Sequence, residues 1–366
     1  MVRIYEKRIE KCKKLMARSG FDLVILFPSP NMYYFSGFKE EPGERMLLLL
    51  IPIKNKPVFI ASELYQEHIR RDSSIQNVQI WKDSDSPRRL LQNIIKGMEL
   101  KYSKVLIDDT MGALFLLPLQ KILQDCEFVP ASKIISSLRI RKSETEIENM
   151  KRASLIVDGI FNIITKMKIK GMTELELAAR MEYEMKKMGS GNIAFETIVA
   201  SGTNSAIPHH RAGNRIIKEG DVVVLDYGCK VNGYCSDITR TIICGKPSDK
   251  VRKVYDIVQR AQEKAFQAVK SGVAVEEIDR IAREEISKEG FDNRFIHRTG
   301  HGIGLEVHEE PYIVEGNNLK LEEGMTFSIE PGIYLPGEFG IRIEDIVLVT
   351  SKGGKRLNKC SHELKA

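Results

Sequence analysis

The stretch Gly220–Thr241, GDVVVLDYGCKVNGYCSDITRT, decides how this chain is to be read. Its Asn232-Gly233 pair stands between two β-rich runs, which is the strongest short signal for a two-residue hairpin turn. With Asn232 and Gly233 at the centre of the turn, Val231 faces Tyr234 and Asp226 faces Thr239. Asp237 is then the diagonal neighbour of Asp226 on the same face, about 7–8 Å away at Cα, near enough for both carboxylates to converge. Either acid alone reads as a turn or surface residue; two together inside apolar strands read as a site. The same register puts Cys229 and Cys235 on opposite faces, so no disulfide is expected between them.

Working outward, Ser143-x-x-Glu146 forms a capping box ahead of Ile147, Met150, Val157, Ile160, Phe161 and Ile164, a long amphipathic helix. Thr173-x-x-Glu176 caps a second helix, which Gly189 closes. Strands are expected at Glu196–Ala200, Val222–Tyr227 and Tyr234–Ile243. The same order then returns: helices Val251–Lys270 and Val275–Glu289, a stop at Gly290, and strands at Arg294–Arg298, Met325–Glu330 and Ile341–Thr350. Gly171, Glu176, Glu184 and Gly189 match Gly272, Glu277, Glu285 and Gly290 at one offset of 101 residues. An internal duplication of helix, helix and strands is the reading.

The second repeat supplies its own acids. Glu330 ends a strand that Pro331-Gly332 stops, and Glu344 shares a face with Arg342 in Ile341–Thr350. The Gly- and Pro-rich connection Pro331–Gly340 is expected to hold Tyr334 over a cleft. Between the two acid pairs lies HRTGHGIGLEVHE, with three of the chain's 7 histidines, His297, His301 and His308. A fourth, His209, precedes Asp226 in the loop AIPHH. The glycines lack both a following Lys-Ser/Thr and the Gly-x-Gly-x-x-Gly spacing, so a phosphate cradle is disfavoured. Four carboxylates and a histidine suit two divalent metals sharing a water, and oxygen-rich donors favour manganese, cobalt or iron over a thiolate-type zinc site. Two such ions lower the pKa of a bridging water and stabilise a tetrahedral intermediate.

The first half has a different character. Asp22–Phe27, Met46–Pro52, Pro57–Ala61, Val78–Trp81 and Lys104–Ile107 read as strands, and Glu63–Arg71, Pro87–Glu99 and Met111–Asp125 as helices. That alternation predicts an α/β domain over residues 1–130, a linker over 131–143, and the duplicated domain over 144–366. Two domains also suit 366 residues. Apolar residues at 42% and charged residues at 29% exclude a disordered or collagen-like chain. The longest apolar runs, Met46–Ile53 and Ala113–Leu119, fall short of the ~20 residues of a membrane span. The start, MVRIYEKRIEKCKKLM, scatters charge where a signal peptide has its apolar block. Six cysteines without a Cys-x-x-Cys pair read as free thiols in a reducing cytoplasm. Net charge is +6, but residues 1–143 carry 24 Lys/Arg against 16 Asp/Glu, and the remainder 32 against 34. The basic residues are dispersed without interleaved aromatics, so nucleic-acid binding is not expected.

At these residues the sequence resembles the pita-bread metallopeptidases, the superfamily of creatinase, methionine aminopeptidase and prolidase. The resemblance lies in FETIVASGTNSAIPHH (195–210), the opening hairpin, HRTGHGIGLEVHEEP (297–311) and GMTFSIEPGIYLPGEFGIRIEDIVLVT (324–350). It implies an α+β pita-bread catalytic domain with internal pseudo-two-fold symmetry. Asp22–Phe27 followed by PNMYYFSGF (30–38) resembles the family's creatinase-type α/β amino-terminal domain. The resemblance implies Asp226, Asp237, His301, Glu330 and Glu344 as ligands of two divalent ions, Mn2+ or Co2+ first, with Fe2+ or Zn2+ as alternatives. His297, Tyr334 and Arg342 match substrate-binding positions of the Xaa-Pro peptidases. His209 and His308 would stabilise the oxyanion or the scissile nitrogen, and Glu330 would also shuttle a proton. The implied activity is that of an Xaa-Pro dipeptidase on small peptides with proline second. Xaa-Pro aminopeptidase on longer peptides is the alternative, and a catalytically inactive peptide-binding module the alternative of another class. A cytoplasmic homodimer without nucleic-acid or membrane partners is implied.

Overall fold

The computed structural model describes residues 2–365 except Glu99 and Tyr102. They fall into two compact units, the first ending at Arg139 and the second running from Ile140. In the first, strands β1 (Leu23–Leu26), β2 (Leu48–Pro52), β3 (Val58–Ser62), β4 (Val78–Trp81), β5 (Lys104–Ile107) and β6 (Glu127–Pro130) form one sheet. Its order is β4-β3-β2-β1-β5-β6. β1 pairs parallel to β5 and antiparallel to β2. Both β1 and β2 are buried at every position, which is why LVIL and LLLIP show no alternation.

Helices α1 (Val2–Ser19), α2 (Pro30–Ser36), α3 (Gln66–Asp72), α4 (Pro87–Lys96), α5 (Ala113–Ile122) and α6 (Ser132–Arg139) complete this unit. Ser29 caps α2 by accepting the Met32 N–H at 3.2 Å, and Gly37 ends it at φ 76. The expected end of α4 at Glu99 lies outside the described residues. α1, α2, β6 and α6 go beyond the sequence reading, and α6 occupies most of the stretch read as a linker.

The second unit repeats one pattern. α7 (Glu144–Ile164) and α8 (Glu174–Lys187) are followed by strands β7 (Asn192–Ile193), β8 (Ile198–Ser201), β9 (Val222–Tyr227), β10 (Cys229–Val231), β11 (Tyr234–Cys235) and β12 (Ile238–Ile243). Then α9 (Asp249–Gln267) and α10 (Val275–Ser287) precede β13 (Gly300–Gly302), β14 (Glu309–Ile313), β15 (Thr326–Ile329), β16 (Gly332–Leu335), β17 (Phe339–Arg342), β18 (Asp345–Thr350) and β19 (Gly353–Arg356). The correspondence extends to single bonds. Gly171 N–H donates to Ile217 O at 3.0 Å, and Gly272 N–H to Leu321 O at 2.8 Å. Both glycines take positive φ, at 93 and 89. Each half has its own core: Val157, Met181 and Leu225 belong to one, Val258, Ile278 and Phe327 to the other.

Two expected strands are cut short and a third is absent. Tyr234–Ile243 breaks at Ser236-Asp237, because Ser236 Oγ, not its carbonyl, accepts the Cys229 N–H at 3.0 Å. Ile341–Thr350 breaks at Ile343-Glu344, where the Glu344 N–H leaves its sheet to donate to Thr239 O at 3.1 Å. Arg294–Arg298 is not a strand. A 3-10 turn covers Asp292–Arg294, and the Arg283 guanidinium takes the carbonyls of Phe295 and His297 that a ladder would need.

Candidate active site

The hairpin register is the one the Asn-Gly turn predicts: Val231 faces Tyr234 and Asp226 faces Thr239. Asn232 and Gly233 take positive φ of 48 and 81, as such a turn demands. Asp237 falls opposite Gly228, where a Cβ would lie 2.2 Å from Ser236 O. Only glycine lets the kinked strand approach so closely, and the kink turns Asp237 into the same cavity as Asp226. From the other half, Glu330 sits one residue past β15, anchored by its N–H to Thr299 O at 2.8 Å. Glu344 sits at the break between β17 and β18, with Oε2 accepting from Thr239 Oγ1 at 2.7 Å.

These four acids and His301 line one cavity of about 550 Å³. Asp237, His301 and Glu344 each offer a ligand atom, all within 4.8 Å of one another. His301 Nε2 lies 3.2 Å from Glu330 Oε1 and 3.9 Å from Asp237 Oδ2. On the far wall, Arg342 Nη2 donates to Asp226 Oδ2 at 2.6 Å. β13 brings His301 in by close backbone approach, since a Cβ on Gly300 would stand 1.9 Å from Ser328 O. Gly300→Ala is therefore expected to push β13 from β15 at a cost of about 1–3 kcal/mol, read as a lower melting temperature. An unchanged melt would contradict that packing.

The electrostatics are those of crowded anions. Burial pushes the Asp237 carboxyl well above its usual range, and the charges of Glu344, Asp226 and Glu330 push it further. Burial, then Glu330 and Asp226, raise Glu344 in the same way. Asp226 is raised by burial against the opposing charge of Arg342. Glu330 goes the other way: burial is outweighed by the hydrogen bond to His301 and the charges of His301, His297 and Arg342, which hold it at about 2.

Two observations fit this cluster to bound cations. Asp226 Oδ1, Asp237 Oδ1 and Glu344 Oε1 are buried without a hydrogen-bond partner among the described residues. Such orphaned acceptors are costly unless a cation meets them. Further, His301 Nδ1 lies 3.2 Å from Gly302 O, and a carbonyl only accepts. With Nδ1 engaged by that carbonyl, Nε2 is the ring atom aimed at the carboxylates and the one a cation would take. Oxygen donors with one imidazole suit Mn2+, Co2+ or Fe2+.

His308 stacks edge-on against His301, ring centroids 4.2 Å apart. Burial, then the charges of His301 and Arg298, lower it to about 4. It faces the cavity neutral at pH 7, and the exposed His209 stands at the same cavity. His297 lines the cavity too, yet both ring nitrogens are engaged: Nδ1 donates to Arg298 O at 2.8 Å, and Nε2 accepts from Tyr334 Oη at 2.9 Å. Burial lowers its pKa, consistent with that neutral tautomer. Tyr334 does not hang over the cleft as expected. It is 2% exposed behind the wall, because β16 pairs with β17 and brings Tyr334 Oη within 2.8 Å of Arg342 Nη1. Arg342 also donates from Nε to Thr239 Oγ1 and from Nη1 to Pro208 O, leaving one Nη2–H without a partner among the described residues.

Several contributors lie outside the sequence reading. Thr239 holds both Glu344 and Arg342, and its place opposite Asp226 was the signal that pointed to it. Ser328 Oγ accepts the His301 N–H and donates to Glu330 Oε1, both at 3.0 Å. Lys142 Nζ pairs with Glu309 Oε1 at 2.8 Å, both nearly buried, beside the loop that carries His308. Phe195, Ile198 and Val307 give the cavity an apolar side.

Residues 148–351 match the model of metallopeptidase family M24, and residues 8–141 that of the creatinase/prolidase N-terminal domain. The chain is 38% identical over 359 residues to the Xaa-Pro dipeptidase of Pyrococcus furiosus, covering 98% of this chain and 99% of that one. It is 38% identical over 365 residues to the probable dipeptidase PepE of Mycobacterium tuberculosis, covering 99% and 96%. The crystal structure of recombinant prolidase from Thermococcus sibiricus superposes with a TM-score of 0.94 at 44% identity, covering 98% of each chain.

Proposed function

The chain belongs to metallopeptidase family M24, and from that we propose that it is an Xaa-Pro dipeptidase whose two divalent ions are held by Asp226, Asp237, His301, Glu330 and Glu344. One observation carries the reading: four acids and an imidazole, drawn from both halves of the duplicated unit, meet in one buried cavity with three carboxylate oxygens unpartnered. The prolidase-type relatives, similar over nearly the full length of this chain, support the substrate class.

Bound divalent ions supply Lewis acidity and a water of lowered pKa. Manganese or cobalt best matches the donors, with iron or zinc as alternatives. The rest is the work of side chains. Glu330, ionised and facing the cavity, takes a proton at Oε from the attacking water and returns it to the prolyl nitrogen. That return is needed because a tertiary Xaa-Pro amide has no N–H of its own. Neutral His308 donates to the oxygen on which charge develops, and His209 acts from the rim. Arg342 keeps Asp226 in place and turns its remaining Nη2–H toward the substrate's proline side. Tyr334, donating to His297 Nε2 and accepting from Arg342, locks that wall and does not itself touch substrate. We place the enzyme in the cytoplasm as a homodimer; six free cysteines accord with a reducing compartment. No helix among the described residues is long and apolar enough to cross a membrane.

The test is to assay an Xaa-Pro dipeptide beside an Xaa-Pro-Yaa tripeptide after adding Mn2+ or Co2+. Cleavage of the dipeptide alone, abolished by chelator, is expected. Preference for the tripeptide would make the chain an Xaa-Pro aminopeptidase. Cleavage of neither would overturn the peptidase reading in favour of a peptide-binding module.

A further inference from the structure

The two halves deliver Asp237 and Glu344 on strands whose direct link is slight. Among the described residues the backbone bridge between them is the isolated pair Thr239–Glu344. Thr239 turns its hydroxyl to Glu344 on the cavity side. The next residue, Arg240, points to the opposite face, as alternation in a strand requires. There it is 1% exposed and spends all five N–H groups. Nη1 donates to Glu344 O at 2.6 Å and Thr239 O at 2.9 Å, and Nη2 to Asp345 Oδ1 at 2.7 Å. The remaining two reach the carbonyls of Cys360 at 3.1 Å and Ser361 at 3.2 Å.

Asp345 is wholly buried and is held in turn by His362 Nε2 at 2.7 Å and Gln262 Nε2 at 3.1 Å, with Arg356 Nε 3.0 Å away. Residues 358–362 therefore form a strap across the back of the junction. Asn358 Oδ1 fastens it by accepting the Ile346 N–H at 2.9 Å, and Asp158 fastens it by accepting the Lys359 N–H at 2.7 Å. A buried Arg–Asp pair is stable only while its other donors and acceptors are satisfied, and the strap supplies three of those partners.

We propose that this strap, acting through Arg240 and Asp345, is a positioning device that fixes the Glu344 backbone and so the placing of the Glu344 carboxylate for metal. The inference rests on the reading of Glu344 as a ligand. Loosening the strap costs metal affinity before it costs the fold, because what it restrains is the carbonyl of the ligand residue itself. Partners at this remove from an ion are typically worth about 10–100-fold in affinity.

The experiment uses the full chain carrying Arg240→Lys or His362→Ala, stripped with chelator and titrated with Co2+ by calorimetry and visible absorption. A lysine ammonium has three donors and cannot serve five acceptors, so R240K is expected to weaken uptake of one Co2+ by about 10–100-fold and alter the cobalt spectrum. H362A, whose ring is 15% exposed, removes one donor from Asp345 and keeps the test open should R240K not fold. It is expected to weaken the same Co2+ several-fold. Val254→Ala, on the core face of α9, serves as control, lowering the melting temperature without changing Co2+ uptake. Wild-type affinity and spectrum in the folded strap variants would overturn the inference, as would equal weakening in V254A. A wild-type chain that binds no Co2+ would instead overturn the metal-centre reading on which the inference stands.

Discussion

Asp237→Asn is expected to lower kcat on an Xaa-Pro dipeptide by at least about 10³-fold while the fold persists. The amide keeps the size of the carboxylate but not its charge, so a cation loses one of the anions that hold it. The fold survives because Asp237 works against stability when no metal is bound. Its carboxyl is buried beside Glu344, Asp226 and Glu330, and neutralising it relieves that crowding. The far-UV circular dichroism of the variant should therefore match wild type, and its metal-free melting temperature should not fall. Glu344→Gln is expected to behave alike, because Glu344 is crowded by burial, Glu330 and Asp226. Turnover within tenfold of wild type in either variant would refute the site.

The same crowding predicts a large effect of stripping the metal. At 1,000 times its Kd a ligand bound only by the folded state adds about 4 kcal/mol, and in a domain of this size each kcal/mol shifts the melt by about 2–4 °C. Saturating Mn2+ or Co2+ at neutral pH is thus expected to raise the melting temperature by roughly 10 °C over the chelated protein. The pH dependence of the metal-free form has a definite sign. Asp237 and Glu344 have folded-state pKa values above their unfolded ones. Their contribution is complete below the ordinary carboxylate range and is lost as pH rises through the raised values. Glu330, held at about 2, acts oppositely, but its loss begins only below the ordinary range. Chelated protein should therefore melt higher near pH 5 than at pH 7.5, and metal should narrow or reverse that difference. A chelated protein equally stable at both would refute the anion cluster.

How much of this was legible depended on whether the cause was local. Asp226 and Asp237 could be paired because Asn232-Gly233 sets a two-residue turn and alternation does the rest. The duplication showed in four left-handed glycines at the helix ends, Gly171, Gly189, Gly272 and Gly290. What failed was decided from afar. No neighbour of Phe295 announces that Arg283, one helix away, will take its carbonyl. Tyr334 went behind the wall because β16 and β17 pair as a separate ribbon. α1 does carry a stripe, Ile9, Cys12 and Met16 buried at helical spacing, but the charges scattered between them obscured it.

The division of the acids between halves also orders events during synthesis. A ribosome that has made β12 has released Asp226 and Asp237, but His301, Glu330 and Glu344 are still to come. The first half of the duplicated unit has its own core, yet it carries only two of the five proposed donors. The proposed set is complete only when Glu344 has reached Thr239 of β12. An enzyme built this way meets the metals of the cell late, with its cavity already formed.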